Sequence, residues 1–138
     1  MKFGILGIDH VVLRVKDEAA ALAFYCGVLG CEEERRVDEL GLIQLRAGSS
    51  LIDLVPVSGE LGRRGGPPPG AGGHNMDHVC LRIESWDEAA LLAHLRANGI
   101  EPGEVGRRYG AEGQGPSIYI ADPDGNTVEL KGPPDGRD

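Results

Sequence analysis

The chain has 138 residues, 41% hydrophobic and 26% charged, with a formal net charge of −8. That length suits one compact domain, residues 1–138, or two small intimate modules that would each be marginal alone, and the composition is that of a soluble globular protein. The acidic balance argues against a nucleic-acid or anionic-membrane partner, which would want a basic face, and no apolar run approaches the roughly 20 residues of a membrane span.

Residues 5–15 alternate and carry β-branched side chains, which predicts a first strand. Asp17 caps the helix expected next, whose apolar stripe includes Ala20, Ala21, Phe24, Tyr25 and Val28 and which Gly30 stops. Strands are expected near 32–39, 41–47 and 50–57, with Gly41 and Gly48 as turn residues. Ser58 to Gly73 is crowded with glycine around Pro67-Pro68-Pro69. It reads as a mobile linker or as a lid beside a cleft, and composition favours the linker. A strand over 76–84 follows, then a helix over 86–97 announced by Ser85 with Glu88 at capping-box spacing and ended by Gly99. Further strands are expected near 101–108, 116–121 and 126–131, with Asp122-Pro123-Asp124-Gly125 as the turn between the last two. The tail after Lys131 is expected to fray. No signal-peptide pattern follows Met1, and the three cysteines, Cys26, Cys31 and Cys80, have no C-x-x-C spacing; a reduced, cytoplasmic setting is the simplest reading.

The order β-α-β-β-β thus occurs twice, and the sequence repeats with it. Ile8-Asp9-His10-Val11-Val12-Leu13-Arg14-Val15 returns as Met76-Asp77-His78-Val79-Cys80-Leu81-Arg82-Ile83, an offset of 68 from His10 to His78. Asp17-Glu18-Ala19-Ala20-Ala21-Leu22-Ala23 returns as Asp87-Glu88-Ala89-Ala90-Leu91-Leu92-Ala93. The expected fold is α+β: two tandem βαβββ modules, 5–57 and 76–131, joined by the linker 58–73, forming a curved mixed sheet that encloses a cleft, with helices on its convex side.

Strand alternation assigns faces. If the helices pack on Val11, Leu13 and Val15 and on Val79, Leu81 and Ile83, then His10 and His78 point to the opposite, concave side. Each module also ends in a carboxylate on an apolar strand, Asp53 and Glu129, which is costly there unless paired, protonated or bound to metal. Two imidazoles with one or two carboxylates suit Zn²⁺, Ni²⁺, Mn²⁺ or Fe²⁺ and leave positions for water or substrate. Parity along the strands brings Val12, Arg14, Val55, Cys80, Arg82, Ser117, Tyr119 and Lys131 to the same concave face. Arg14 and Arg82 are candidates to clamp an anionic substrate or to balance the carboxylates.

These motifs resemble the vicinal oxygen chelate superfamily, which includes glyoxalase I, fosfomycin-modifying enzymes, methylmalonyl-CoA epimerase, extradiol dioxygenases and bleomycin-resistance proteins. Ile8-Asp9-His10-Val11-Val12-Leu13 with Phe24-Tyr25 and Leu29-Gly30 is similar to its opening module. Asp122-Pro123-Asp124-Gly125-Asn126 with Glu129-Leu130 is similar to its closing hairpin. The resemblance implies His10, His78 and Glu129 as metal ligands. At the fourth position the family usually has Glu or Gln; Asp53 stands here, shorter by a methylene, and would ligate from a closer strand or through water. An asparagine expected four residues later is replaced by Val57. Arg14 matches an arginine that contacts the glutathione carboxylate in glyoxalase-like enzymes. Ser117 and Tyr119 resemble substrate-facing residues of fosfomycin-modifying enzymes. The resemblance also implies a homodimer, with the site closing within one chain or across two.

Three function classes follow. The favoured one is a metal-dependent lyase, isomerase or transferase acting on a small oxygenated substrate that chelates the ion, with Asp53, Glu129 and Tyr119 as catalytic groups and Arg14, Arg82 and Ser117 as substrate-binding groups. The second is an Fe²⁺ ring-cleaving dioxygenase built on His10, His78 and Glu129, against which Asp53 would crowd the open side. The third is a metal-free, drug-sequestering resistance protein, which the histidine-carboxylate set disfavours.

Overall fold

The computed structural model describes residues 1–136, which form two compact units, Met1–Asn75 and one beginning at Met76. The fold is α+β. In the first unit the order is β1 (His10–Val15), α1 (Glu18–Leu22), a π-helical continuation (Ala23–Val28), β2 (Glu32–Val37), β3 (Leu42–Ala47), β4 (Ser50–Pro56) and α2 (Glu60–Arg63). The second unit contains β5 (His78–Arg82), α3 (Glu88–Ala97), β6 (Val105–Gly110), β7 (Gly113–Ala121) and β8 (Thr127–Lys131). The sheets have the same topology, β1-β4-β3-β2 and β5-β8-β7-β6, with the first pair parallel and the others antiparallel. No helix among the described residues is long and apolar enough to cross a membrane.

Alternation sorts the faces as the sequence suggests. Leu13, Val15, Ile43, Leu45, Ile52 and Leu54 are buried together with Ala21, Phe24 and Tyr25 of the helical segment. In the second unit Ile118, Ile120, Val128 and Leu130 share one face by register and are buried, as is Leu95 of α3. Each fully buried Leu or Ile contributes about 2 kcal/mol relative to an exposed one, so these inward faces fix the register and with it the opposite, chemistry-bearing faces.

Several local expectations change. Pairing begins at His10, not residue 5; Ile5, Leu6 and Ile8 lie outside the strand and exposed. The first helix widens into a π-helix at Ala23, shown by Leu29 N donating to the Phe24 carbonyl at 3.0 Å. The second long helix is capped by Asp87, whose carboxylate accepts from Ala90 N at 3.1 Å, as Asp17 accepts from Ala20 N at 3.0 Å. Ser85 therefore is not the cap: the repeat aligned Asp17 with Asp87, and a carboxylate at this position satisfies an orphan amide. Asp87→Ala should cost about 1 kcal/mol by chemical denaturation and Ser85→Ala close to nothing; the reverse order would restore the serine cap.

The tail does not fray as expected as far as Asp135. Gly132 N donates to the Pro116 carbonyl at 2.9 Å, Asp135 N to that of Gln114 at 3.0 Å, and Arg107 grips both Asp135 oxygens at 2.7 Å. Arg137 and Asp138 lie outside the described residues.

The expected linker 58–73 is the largest correction. It carries α2 and belongs to the first unit, joined there by a backbone bond from Leu61 N to the Leu40 carbonyl at 3.0 Å and by the Arg14 side chain. The Arg14 guanidinium donates to four backbone carbonyls: Gly65 and Pro67 at 3.0 Å from Nη1, Gly62 at 3.0 Å and Gly66 at 2.8 Å from Nη2. Asn75 clasps the backbone of the same residue, accepting from Arg14 N at 3.1 Å and donating to its carbonyl at 3.0 Å. The glycines make this possible. A Cβ on Gly62 would stand 2.0 Å from the Pro56 carbonyl oxygen, and one on Gly65 2.5 Å from the guanidinium carbon.

Candidate functional site

Register builds the site face of the first unit. Val12 pairs with Asp53 across the parallel β1–β4 ladder, and Gln44 pairs with Asp53 across β3–β4. His10, two residues before Val12, brings Nε2 to 4.0 Å from Asp53 Oδ2. Asp53 is only 4% exposed, and Gln44 Nε2 donates to its two oxygens at 3.3 and 3.2 Å. Arg35 in turn donates to Gln44 Oε1 at 3.0 Å, which turns the amide nitrogen toward Asp53. On the other side of the ring, His10 Nδ1 lies 2.6 Å from Asp9 Oδ1.

The second unit repeats the arrangement. Cys80 pairs with Glu129 across β5–β8, and Tyr119 pairs with Glu129 across β7–β8. His78 Nε2 is 3.4 Å from Glu129 Oε1, and its Nδ1 is 2.6 Å from Asp77 Oδ2. Glu129 is 6% exposed. Tyr119 takes the register place that Gln44 has in the first unit. Its ring meets the His78 ring edge-on, with centroids 5.6 Å apart and planes at 88°.

These contacts constrain the protons. A carboxylate can only accept, so Asp9 and Asp77 hold the hydrogen on Nδ1, and each neutral ring presents the Nε2 lone pair to Asp53 or Glu129. Acceptor then faces acceptor, an arrangement that a cation resolves. The cation can be a proton: His10 is raised above its ordinary 6.5, first by its hydrogen bond to Asp9, then by the charges of Asp53 and Asp9, with desolvation opposing. It can equally be a metal. Separations of 3.4 and 4.0 Å exceed a normal hydrogen bond. Two donors each about 2.1 Å from one tetrahedral ion would lie about 3.4 Å apart. The donor chemistry therefore fits the ion, and the Asp-His contacts are those that orient metal-binding imidazoles. Each unit supplies two donors; among the described residues no group of three or more His, Cys, Asp or Glu is arranged to hold an ion. The expected set of His10, Asp53, His78 and Glu129 is present as two pairs.

The expected substrate-binding residues fare differently. Arg14 directs Nη1 and Nη2 to the 62–67 segment, while its buried Nε has no hydrogen-bond partner among the described residues. Arg82 pairs with Glu112 at 2.8 Å and donates to the Ile83 carbonyl. Ser117 is fully buried and its Oγ accepts from Arg108 Nη1 at 2.7 Å. Lys131 is buried and donates to the Gly113 carbonyl at 3.1 Å. Val55 is buried while Val12 is half-exposed. The Cys80 thiol is pushed up to about 11, by burial first and then by Glu129, so it is no nucleophile at neutral pH.

Asp9, Asp77, Gln44 and Arg108 were not among the expected site residues. The two aspartates carried a visible signal, since the repeat duplicates Asp-His and not His alone. Gln44 could be placed only once β3–β4 register was known.

A family model described as Glyoxalase/Bleomycin resistance protein/Dioxygenase superfamily matches residues 7–130. The chain belongs to this superfamily. Among its superfamily relatives, the Virulence protein STM3117 of Salmonella typhimurium is 30% identical over 130 residues, covering 89% of this chain and 81% of that protein. The crystal structure of that protein matches with a TM-score of 0.76, covering 94% and 98% of the two chains. An integron cassette protein from the mobile metagenome of V. cholerae is 28% identical, with a TM-score of 0.74 and coverage of 96% and 98%. A lactoylglutathione lyase from Agrobacterium tumefaciens is 26% identical, with a TM-score of 0.68 and coverage of 93% and 94%.

Proposed function

We propose that the protein is a divalent-metal-dependent enzyme of the glyoxalase type, a lyase, isomerase or related transferase acting on a small oxygenated substrate. The observation that carries this reading is the repeated triplet of an aspartate on Nδ1, a histidine, and a buried carboxylate facing Nε2. Similarity to a lactoylglutathione lyase at 26% identity supports the class of chemistry. His10, Asp53, His78 and Glu129 would hold one ion, the two pairs meeting within a chain or across a homodimer. When bound, the ion would polarise substrate oxygens and stabilise negative charge developing on them. Asp9 and Asp77 fix the imidazole tautomer. Asp53 is the carboxylate best suited to carry a proton, because it stands farther from its histidine and Gln44 offers its oxygens alternative hydrogen bonds. Tyr119, beside His78, presents a hydroxyl that can donate to substrate.

Protein purified without chelator should contain a divalent ion, lose activity toward adducts of 2-oxoaldehydes with thiols when stripped, and recover it on re-addition. Ligand binding with no metal affinity would overturn the proposal in favour of a sequestering protein, and iron-dependent oxygen uptake with a catechol would replace it with ring cleavage. Mixing His10→Ala with Glu129→Ala protein separates the two assemblies: recovered binding means that the pairs meet across chains.

A pH effect follows from Asp9. Because His10 is raised above 6.5, protons compete with metal at that ring until the pH passes its folded value. In metal-free protein the His10 imidazole resonances should titrate above 6.5, and Asp9→Asn should move the midpoint down. An unmoved midpoint would remove Asp9 from the site.

A further inference from the structure

We propose that Arg108 is a positioning residue for the His78–Glu129 pair, acting through Tyr119. Its guanidinium carbon lies 4.4 Å from the centroid of the Tyr119 ring, over its face. Nη1 donates to both the Ser117 carbonyl at 2.9 Å and Ser117 Oγ at 2.7 Å, and Nη2 to the Glu104 carbonyl at 3.3 Å. The planar cation is therefore fixed at three oxygens, and the ring packs on a rigid surface. A stacked guanidinium attracts the negative face of an aromatic ring, the more so when desolvated. With one face held by Arg108, the Tyr119 plane is fixed, and it stands at 88° to the His78 ring with centroids 5.6 Å apart.

The backbone is shaped for this. Gly106 faces the guanidinium, and a Cβ there would stand 3.0 Å from Nη2 and 3.1 Å from the guanidinium carbon. Gly103 lets Tyr119 seat deeply: a Cβ there would be 2.7 Å from the Tyr119 carbonyl oxygen, which accepts from Gly103 N at 2.9 Å. Glu129 lies opposite Tyr119 in the β7–β8 register, so the residue whose ring meets His78 is also the cross-strand neighbour of Glu129. His78 is thus held from two directions, by Asp77 at Nδ1 and by Tyr119 at the ring edge. Lysine cannot substitute for Arg108, because it offers neither the planar stack nor the fork that spans Ser117.

The orienting role stands without a metal; only its effect on affinity rests on the function proposed above. The test is carried out first on metal-free full-length protein. In Arg108→Lys, and in Arg108→Ala, the His78 imidazole proton resonances should shift as the Tyr119 ring current moves, while those of His10 stay in place. Tyr119→Leu should give the same shift and Tyr119→Phe almost none. Zinc affinity by titration should then fall about 10–100-fold in Arg108→Lys, the loss usual when an orienting partner is removed. His78 resonances unchanged in Arg108→Lys would overturn the proposal, as would equal displacement of His10 and His78, which marks a merely structural residue. Shifted His78 resonances in a protein with no zinc affinity would keep the positioning role and sink the metal reading instead.

Discussion

Replacing His78 or Glu129 with alanine is expected to abolish binding of a divalent ion, with a loss greater than the roughly 10–100-fold that follows removal of an outer partner. His10→Ala should do the same, and Asp53→Ala should weaken binding least. The gradation comes from geometry. Glu129 Oε1 stands 3.4 Å from its imidazole nitrogen, whereas Asp53 Oδ2 stands 4.0 Å from its own and is held back by Gln44. Activity should follow a different order, with Asp53→Ala costing more turnover than affinity because that carboxylate, the farther from its imidazole, is the proposed base. The histidine variants should fold normally, since both side chains are more than a third exposed and leave little void when cut back. Titration calorimetry with zinc, nickel and manganese reads the affinities. An Asp53→Ala loss as severe as that of Glu129→Ala would make the two carboxylates equal ligands and remove the proposed base.

Arg14→Ala is expected to destabilise the fold by about 2 kcal/mol: bonds from a charged donor contribute about 1.5–3 kcal/mol each, but three of the four are exposed, so water replaces much of what they supply. Four carbonyls of residues 62–67 lose their partner together. The denaturation midpoint should drop, and limited proteolysis should begin within that segment. Arg14→Lys should rescue little, because one ammonium cannot reach four carbonyls arranged around a fork. A substrate clamp would behave in the opposite way, raising KM for an anionic substrate at unchanged stability, and that result would return Arg14 to the ligand.

The difference between these two outcomes shows where sequence reasoning reached and where it stopped. Period-two alternation placed His10, Asp53, His78 and Glu129 on the faces opposite the cores because strand parity is local and the buried faces pin it. Parity gives a face and not a partner. It put Arg14 and Arg82 on the same side of the sheet as the histidines, yet their long side chains reach Gly62 to Pro67 and Glu112. Composition misread the glycines of the 58–73 segment as flexibility, although Gly62 is a close approach to the Pro56 and Val57 backbone that any Cβ would block, and Gly65 leaves the room that the Arg14 side chain fills. Arg108 carried no signal of its own, since its role depends on β6–β7 register and on the absence of a side chain at Gly106. The Asp-His dyads could have been found, because the repeat preserved both residues.

X-ray absorption spectroscopy of the protein loaded with one equivalent of zinc tests the account most directly, because it counts imidazoles and distinguishes oxygen from sulfur at the ion. Two imidazoles are expected, completed by oxygen donors with no sulfur, at about 2.0–2.2 Å. A zinc ion with no imidazole, or one ligated by the thiolates of Cys26 and Cys31, would contradict it.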